Sequence, residues 1–363
     1  MRPIAMYLPQ FHTFPENDSW WGEGYTEWTA VRQAKPLYRG HLQPRIPMAY
    51  EYYDLSEEDG RTFKRQAKLA KQCGIYGFCF YHYYFDGKLL MEKPLEILLK
   101  HPEIDLKYCL CWANESWTRA WYDMEEEVLL EQTYGIDIDW EKHADYLVRF
   151  FKDERYIKID NKPVLNIYRT GDIDDLAQML NVFTKKAIDA GLEGLYVVGA
   201  KTAGSLDERK ELMDAWYYFE PGYTLKHDMG FMNTLRYNLG TGLRHLANGA
   251  ARKNILERRI PISNIYKPIM KRNYAINEFP GILARWDNTP RRGYKGLVYM
   301  GASPEKFEKA LRAIKKKIEG RENDFVYINA WNEWGEGAML EPDTAERFGY
   351  LEAVKKVVED YGG

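Results

Sequence analysis

Apolar positions along the chain fall into two alternating kinds of segment. Short stretches that are continuously apolar, or apolar at every second position, read as strands at 4–8, 74–81, 107–112, 163–168, 195–200, 214–219, 281–286 and 325–331. Between them, apolar residues at helical spacing predict helices from a cap at Ser56 to about 73, then at 94–100, 140–152, 173–190, 304–318 and 344–361. The run from Gly74 is bounded by glycine and apolar throughout, the pattern of a strand buried on both faces. Almost every strand empties into polar or aromatic residues. Strands alternating with helices in this way predict an α/β fold, a (β/α)8 TIM barrel with long loops after its strands, and place any site on the rim where the strands end. No glycine-rich turn follows Leu8, as a dinucleotide-binding fold would need. The barrel reading uses residues 1–363 as one catalytic domain.

Two stretches break the rhythm. Asn17 to Trp28 (NDSWWGEGYTEW) is too interrupted for a long helix and too aromatic for a linker, so it reads either as a wall of a binding site or as a small core beneath a long loop. From about 222 to 279, between the sixth and seventh strands, an insertion carries Lys226, Arg236, Arg244, Arg252, Lys253, Arg258, Arg259, Lys267, Lys271 and Arg272, interleaved with Leu235, Leu239, Leu243, Leu246, Ile255, Ile260, Ile262 and Ile265. A basic amphipathic segment of this kind is either a solvated excursion on the barrel or a surface for an anionic glycan, a lipid diphosphate or the inner face of a membrane.

Composition narrows the class. With 45% hydrophobic and 29% charged residues, the chain has ample material for a core, and disorder is not expected. Aromatics reach 15%, with 28 tyrosines and 11 tryptophans, an excess suited to lining a wet cleft and to stacking on sugar rings. A formal net charge of −3 gives no reason to expect nucleic acid. Cys73, Cys79, Cys109 and Cys111 lie in or beside apolar runs without zinc-site spacing, as core thiols would. The N-terminus has no apolar run of signal-peptide length, and no stretch approaches the roughly 20 apolar residues of a spanning helix. The expected setting is therefore a reducing cytoplasm, peripheral to the inner membrane if the insertion touches lipid.

The candidate chemistry lies on the predicted rim. It comprises Gln10, His12, Trp21, Glu23, Glu27, Trp28, His82, Tyr83, Tyr84, Asn114, Glu115, Trp117, Tyr168, Arg169, Glu220, Arg285, Trp286, Asp287, Asn332, Glu333, Trp334, Glu336 and Glu341. Carboxylates and aromatics dominate, and no serine, histidine and aspartate set stands at strand ends. Glu333 and Glu336, in the run Asn329-Ala-Trp-Asn-Glu-Trp-Gly-Glu-Gly337, are the candidate catalytic pair: two carboxylates among indoles suit glycosidic bond chemistry. Substrate contacts are expected from His12, Trp21, Glu27, Trp28, His82, Tyr83, Tyr84, Asn114, Glu115, Trp117, Tyr168, Arg285, Trp286, Asn332 and Trp334. No HxH or HExxH spacing marks a metal, and no cofactor is expected.

The runs Tyr7-Leu-Pro-Gln-Phe-His12, Asn17–Trp28, Gly77-Phe-Cys-Phe-Tyr-His-Tyr-Tyr84, Trp112-Ala-Asn-Glu-Ser-Trp117 and Asn329–Gly337 together resemble the WbsX-like family of polysaccharide-biosynthesis proteins and glycosyltransferases. That family is related to the family 99 glycoside hydrolases, endo-α-mannosidases with (β/α)8 barrels. In those enzymes a Glu-Trp-His-Glu motif supplies both catalytic carboxylates, and Glu333-Trp334-Gly335-Glu336 is similar to it except for its glycine. The resemblance implies that Glu336 is the general acid/base and that Glu333 is a base on the sugar 2-hydroxyl, giving a 1,2-anhydro intermediate and net retention. It does not imply mannose, because Gly335 removes a side chain from the motif. Three classes follow: a retaining endo-acting hydrolase or transglycosylase on a bacterial polysaccharide or lipid-linked oligosaccharide, a sugar-nucleotide glycosyltransferase, and a non-catalytic sugar-binding barrel. For the second, Asp137-Ile-Asp139 and Asp172-Ile-Asp174 are the available acidic pairs, but both precede helices, where aspartate caps.

Overall fold

The computed structural model describes residues 1–48, 51–118, 128–204, 209–251 and 256–360. Arg119, Arg252, Lys253, Ile255 and Tyr361 lie outside the described residues. Parallel strand segments wind in sequence order around a barrel: β1 (Arg2–Tyr7), β2 (Gly77–Phe85), β3 (Lys107–Trp112), β4 (Lys162–Ile167), β5 (Tyr196–Lys201), β6 (Ala215–Tyr218), β7 (Glu278–Phe279), β8 (Gly281–Leu283) and β9 (Phe325–Asn329). β8 falls in the predicted seventh strand, whereas β7, on the other side of Pro280, lies at the end of the predicted insertion. β7 pairs with β6 and β8 with β9, and β9 returns to β1 in the register Ile4↔Tyr327, which brings the sheet round on itself. Gly281 is required at this junction: a Cβ there would sit 1.7 Å from the carbonyl oxygen of Tyr218.

The barrel interior is filled. Tyr217 and Tyr327 stack with centroids 4.4 Å apart, and the Tyr327 hydroxyl donates to Asn166 Oδ1 at 2.8 Å. Asn166 in turn donates to the Leu110 carbonyl, so this buried amide is satisfied within the core. The four cysteines are free and buried. Helices α1 (Pro15–Trp21), α2 (Glu27–Gln33), α3 (Arg61–Gln72), α4 (Lys93–Lys100), α5 (Asp137–Phe151), α6 (Leu176–Asp189), α7 (Phe231–Ala250), α8 (Ser263–Lys271), α9 (Thr289–Arg292), α10 (Pro304–Lys317) and α11 (Gly349–Glu359) complete the chain. α10 shows the local rule: Ser303 caps it, Pro304 opens it, Phe307, Ala310, Leu311 and Ile314 form its buried stripe, and three lysines close its negative end.

Several expectations change. α3 begins at Arg61 behind Gly60, so Ser56 does not cap it. The aromatic stretch 17–28 is not one loop but the end of α1, a turn, and the start of α2. β2 continues through Phe85 because its hairpin partner Lys88–Leu90 pairs back onto it, and this puts His82, Tyr83 and Tyr84 inside the strand. The insertion contains α7, a strand at Arg258–Pro261 that pairs with Leu297–Met300, and α8. Arg272, at its end, is buried against Glu220 at 2.8 Å and Asp228 at 2.7 Å, which pins the insertion to the end of β6. Among the described residues no helix is long and apolar enough to cross a membrane.

Candidate active site

β9 ends at Asn329, and the chain then folds over the barrel mouth as a small antiparallel ladder, Asn332↔Met339 and Glu333↔Ala338. Glu341 holds this loop from beneath. Its buried carboxylate accepts from Trp331 Nε1, Gln66 Nε2, the Tyr53 hydroxyl and Trp334 Nε1, at 2.7 to 3.1 Å. Burial pushes Glu341 up, against the pull of those donors. Asn332 ties the loop to the first strand by exchanging two hydrogen bonds with the Leu8 backbone, at 2.8 and 2.9 Å. Asn114 does the same between the ends of β3 and β4, bonding both the amide and the carbonyl of Arg169.

So held, Glu333 and Glu336 face a cavity of about 230 Å³ whose wall includes Trp21, Tyr81, Tyr83, Glu115, Trp117, Tyr168, Phe219 and Trp286. One guanidinium grips both acids. Arg291, from the short helix α9, places Nη2 3.0 Å from Glu333 Oε2 and Nη1 3.0 Å from Glu336 Oε1, while Nη2 also lies 2.8 Å from Glu27 Oε1. α9 is itself fixed by Asp287, which accepts from the Thr289 amide and hydroxyl and from Gln43 and His41. Burial works against the Asp287 carboxylate, but the hydrogen bonds from His41, Thr289 and Gln43 outweigh it and keep it below the usual range.

Three carboxylates around one buried cation cannot all ionise cheaply. Burial, opposed by Arg291 and reinforced by Glu336 and Glu27, pushes Glu333 up to about 8. Burial likewise raises Glu336, again against Arg291. A carboxyl whose folded pKa lies above its unfolded value adds stability that is complete at acid pH and lost as the pH climbs through the folded value. Wild type is therefore expected to lose stability relative to Glu333→Gln between about pH 5 and pH 9, read as the difference of denaturant midpoints at each pH. A difference that stays flat over that range would contradict the shift.

Gly335 explains the gap in the motif. An ideal Cβ at this residue falls 1.8 Å from Glu27 Oε1 and 2.7 Å from Arg291 Nε. The space above the loop that a side chain at 335 would enter is taken by the Glu27–Arg291 pair.

Of the expected contact residues, Trp21, Tyr83, Glu115, Trp117, Tyr168 and Trp286 line the cavity. The others do not reach it. His82 and Tyr84 point outward from β2, where His82 Nε2 lies 2.8 Å from His143 Nε2 and Tyr84 stacks on the same ring at 3.9 Å. Burial lowers His82 to about 3, so it is neutral. His12 is buried with Nδ1 on the Pro9 carbonyl, and Trp28 packs on Phe11, Tyr53 and Trp334. Arg285 is buried on Asp343 at 3.0 Å, and Trp334 sits under the loop on Glu341. Asn114 and Asn332 brace strand ends, and Glu27 reaches the acids only through Arg291. Among the other rim candidates, Gln10 lines the cavity, Glu23 is exposed and Glu220 is spent on Arg272 and Thr224. Arg291, Tyr81 and Phe219 were missed as site residues. Tyr81 was recoverable from the alternation with Tyr83; Arg291 carried no sequence signal. Asp137 and Asp139 lie in the first turn of α5, where Asp139 accepts from the Ile136 amide, whereas Asp172 ends a short 3-10 turn and accepts from Arg169 Nε. Among the described residues no three His, Cys, Asp or Glu side chains converge as a metal site would need.

The fold is a TIM barrel whose mouth holds a buried and a half-buried acid, Glu333 and Glu336, in an aromatic cavity. Backbone comparison agrees on the fold: a GH99 endo-α-mannosidase of Bacteroides thetaiotaomicron superposes with a TM-score of 0.57 at 13% identity, over 98% of this chain and 96% of that one. A glycoside hydrolase-like protein superposes with a TM-score of 0.61 at 14% identity, over 98% and 93%. The chain belongs to the Glycosyltransferase WbsX family, whose model matches residues 3–354. Uncharacterized protein WxcX from two strains of Xanthomonas campestris pv. campestris is 33% identical over 359 residues, 98% of this chain and 49% of that protein. The chain thus spans about half the length of the curated relatives it matches.

Proposed function

We propose that the chain is a retaining, endo-acting glycoside hydrolase or transglycosylase, a single catalytic barrel that works on a bacterial polysaccharide or lipid-linked oligosaccharide. The observation that carries the reading is the Glu333–Arg291–Glu336 cluster, two carboxylates that share a cation inside an aromatic cavity, both raised by burial, Glu333 to about 8. Indoles of Trp21, Trp117 and Trp286 stack on sugar faces, and Tyr83 and Tyr168 supply hydroxyls. Burial favours the proton on Glu333. A sugar 2-hydroxyl donating to Glu333 stabilises its ionised form and leaves the proton to Glu336. Glu336 then protonates the glycosidic oxygen while Glu333 takes the 2-hydroxyl proton and O2 attacks C1. This expels the leaving sugar and forms a 1,2-anhydro ring. Water, or an acceptor hydroxyl, opens that ring at C1 as Glu336 removes its proton and Glu333 returns one to O2, so the anomeric configuration is retained.

The relation to an endo-α-mannosidase fold supports this chemistry but not mannose, since Glu27 and Arg291 occupy the place of the motif's missing side chain. The family's description as glycosyltransferases supports the second reading, transfer from a sugar nucleotide. Incubation with surface-polysaccharide fragments and lipid-linked oligosaccharides separates the two. The expected result is release of a reducing end, without nucleotide, with the newly formed anomer retained by proton NMR. Strict dependence on a sugar nucleotide, or inversion, would replace the reading by the alternative.

A further inference from the structure

A second cavity, of about 260 Å³ and lined by none of the acids' neighbours, lies between α7 and the strand Arg258–Pro261. Arg236, Gly240 and Arg244 stand four residues apart along one face of α7, and Arg258 and Arg259 face them from the strand. The cavity's single acid, Glu257, is engaged by Arg259. Among the described residues no carboxylate pairs with Arg236, Arg244 or Arg258, and the chain has no acidic residue between Asp228 and Glu257. The side-chain contacts of the inner two are sparse: Arg244 Nη2 lies 3.2 Å from His245 Nε2, and Arg258 donates to the Tyr237 hydroxyl at 3.2 Å and to the Lys295 carbonyl at 3.3 Å. The Nε atoms of both are buried without a hydrogen-bond partner. Burial and the neighbouring Arg258 push Arg244 below the ordinary arginine range, as expected where like charges are held together. Arg236 and Arg259 reach solvent, but Arg244 and Arg258 are half-buried with no carboxylate beside them, an arrangement that a bound anion stabilises.

We propose that this cleft binds a phosphate-type anion, most simply a diphosphate. Guanidinium forks match phosphoryl oxygens in pairs, and two faces of arginine suit an anion with oxygens on two phosphorus atoms. The diphosphate comes from a free or nucleoside-borne source or from a lipid. For the lipid, the other face of α7 offers exposed Phe231, Leu235, Leu239, Leu243 and Leu246. The strand at the floor of the cleft pairs with Leu297–Met300, where the Tyr299 amide donates to the carbonyl of Trp286, so a single strand lies between the cleft and the sugar cavity's indole. The inference does not depend on which bond the carboxylates act on.

The test titrates the full chain calorimetrically with inorganic diphosphate, uridine diphosphate and farnesyl diphosphate. It compares wild type with Arg236→Gln and Arg244→Gln, with unliganded melting curves to verify folding. Binding is expected for at least one probe, weakened about tenfold or more in either variant, since each removes a charge-assisted contact, and weakened further by salt. Tighter binding of the farnesyl probe assigns the site to lipid, tighter binding of the uridine probe to a nucleotide, and equal binding to the diphosphate alone. Failure of all three to bind, or binding untouched in both folded variants, overturns the proposal.

Discussion

Glutamine at position 336 is expected to lower turnover of a natural glycan by about a hundredfold to ten-thousandfold, the range that general acid catalysis supplies, yet to spare an aryl glycoside whose leaving group needs no proton. Glu336 suits that role because it borders the cavity with about a fifth of its side chain exposed, whereas Glu333 is nearly enclosed. Glu333→Gln is expected to cost a similar factor on both substrates, because removal of the 2-hydroxyl proton does not depend on the leaving group. Initial rates on an oligosaccharide and on its dinitrophenyl glycoside check this in one experiment. Sparing of the aryl glycoside in Glu333→Gln and not in Glu336→Gln would exchange the two roles, and full activity in either variant would remove that residue from the chemistry.

Gly335→Ala carries the second large effect. The added methyl cannot coexist with Glu27 Oε1 at 1.8 Å, and Glu27 has little room to yield: it is buried at the first turn of α2 and bonded to an arginine that also holds both acids. Displacing it disturbs a buried ionic cluster, and the expected destabilisation is about 2–4 kcal/mol by denaturant unfolding. The double variant Glu27→Ala/Gly335→Ala isolates the cause. With the carboxylate gone, the closer clash is relieved and only the Arg291 side chain, with Nε at 2.7 Å, must shift, so the double variant is expected to be more stable than the sum of the two single losses predicts. Strict additivity would mean that the glycine is there for another reason.

The barrel was legible because its strands are apolar on both faces and its helices on one stripe, and these two periods differ strongly. The place of Glu333 and Glu336 at the cavity was legible because paired acids and indoles follow a predicted strand end, where a barrel opens its mouth. What escaped lies in alternation and in distance along the chain. Reading β2 as ending at residue 81 left His82, Tyr83 and Tyr84 as one polar cluster; extended to Phe85, period two sends Tyr81 and Tyr83 to the cavity and His82 and Tyr84 to α5. Nothing local marks Arg291, which sits in a four-residue helix and finds Glu27 264 positions away. Asn114 and Asn332 read as sugar ligands, but a side-chain amide also imitates a backbone peptide, and at strand ends that use prevails.

The break at Pro280 gives the mouth of the barrel two mechanical characters. β6 and β7 share two ladder positions, whereas β2 and β3 share six. Proline offers no amide to mend the gap, so local opening costs least there. Phe219 and Trp286 follow the segments on either side of that break, while Tyr83 belongs to β2 and Trp117 packs edge-on against it. One wall of the cavity is therefore held by few ladder bonds and the other by many, so the cavity yields more easily beside Phe219 and Trp286 than beside Tyr83 and Trp117.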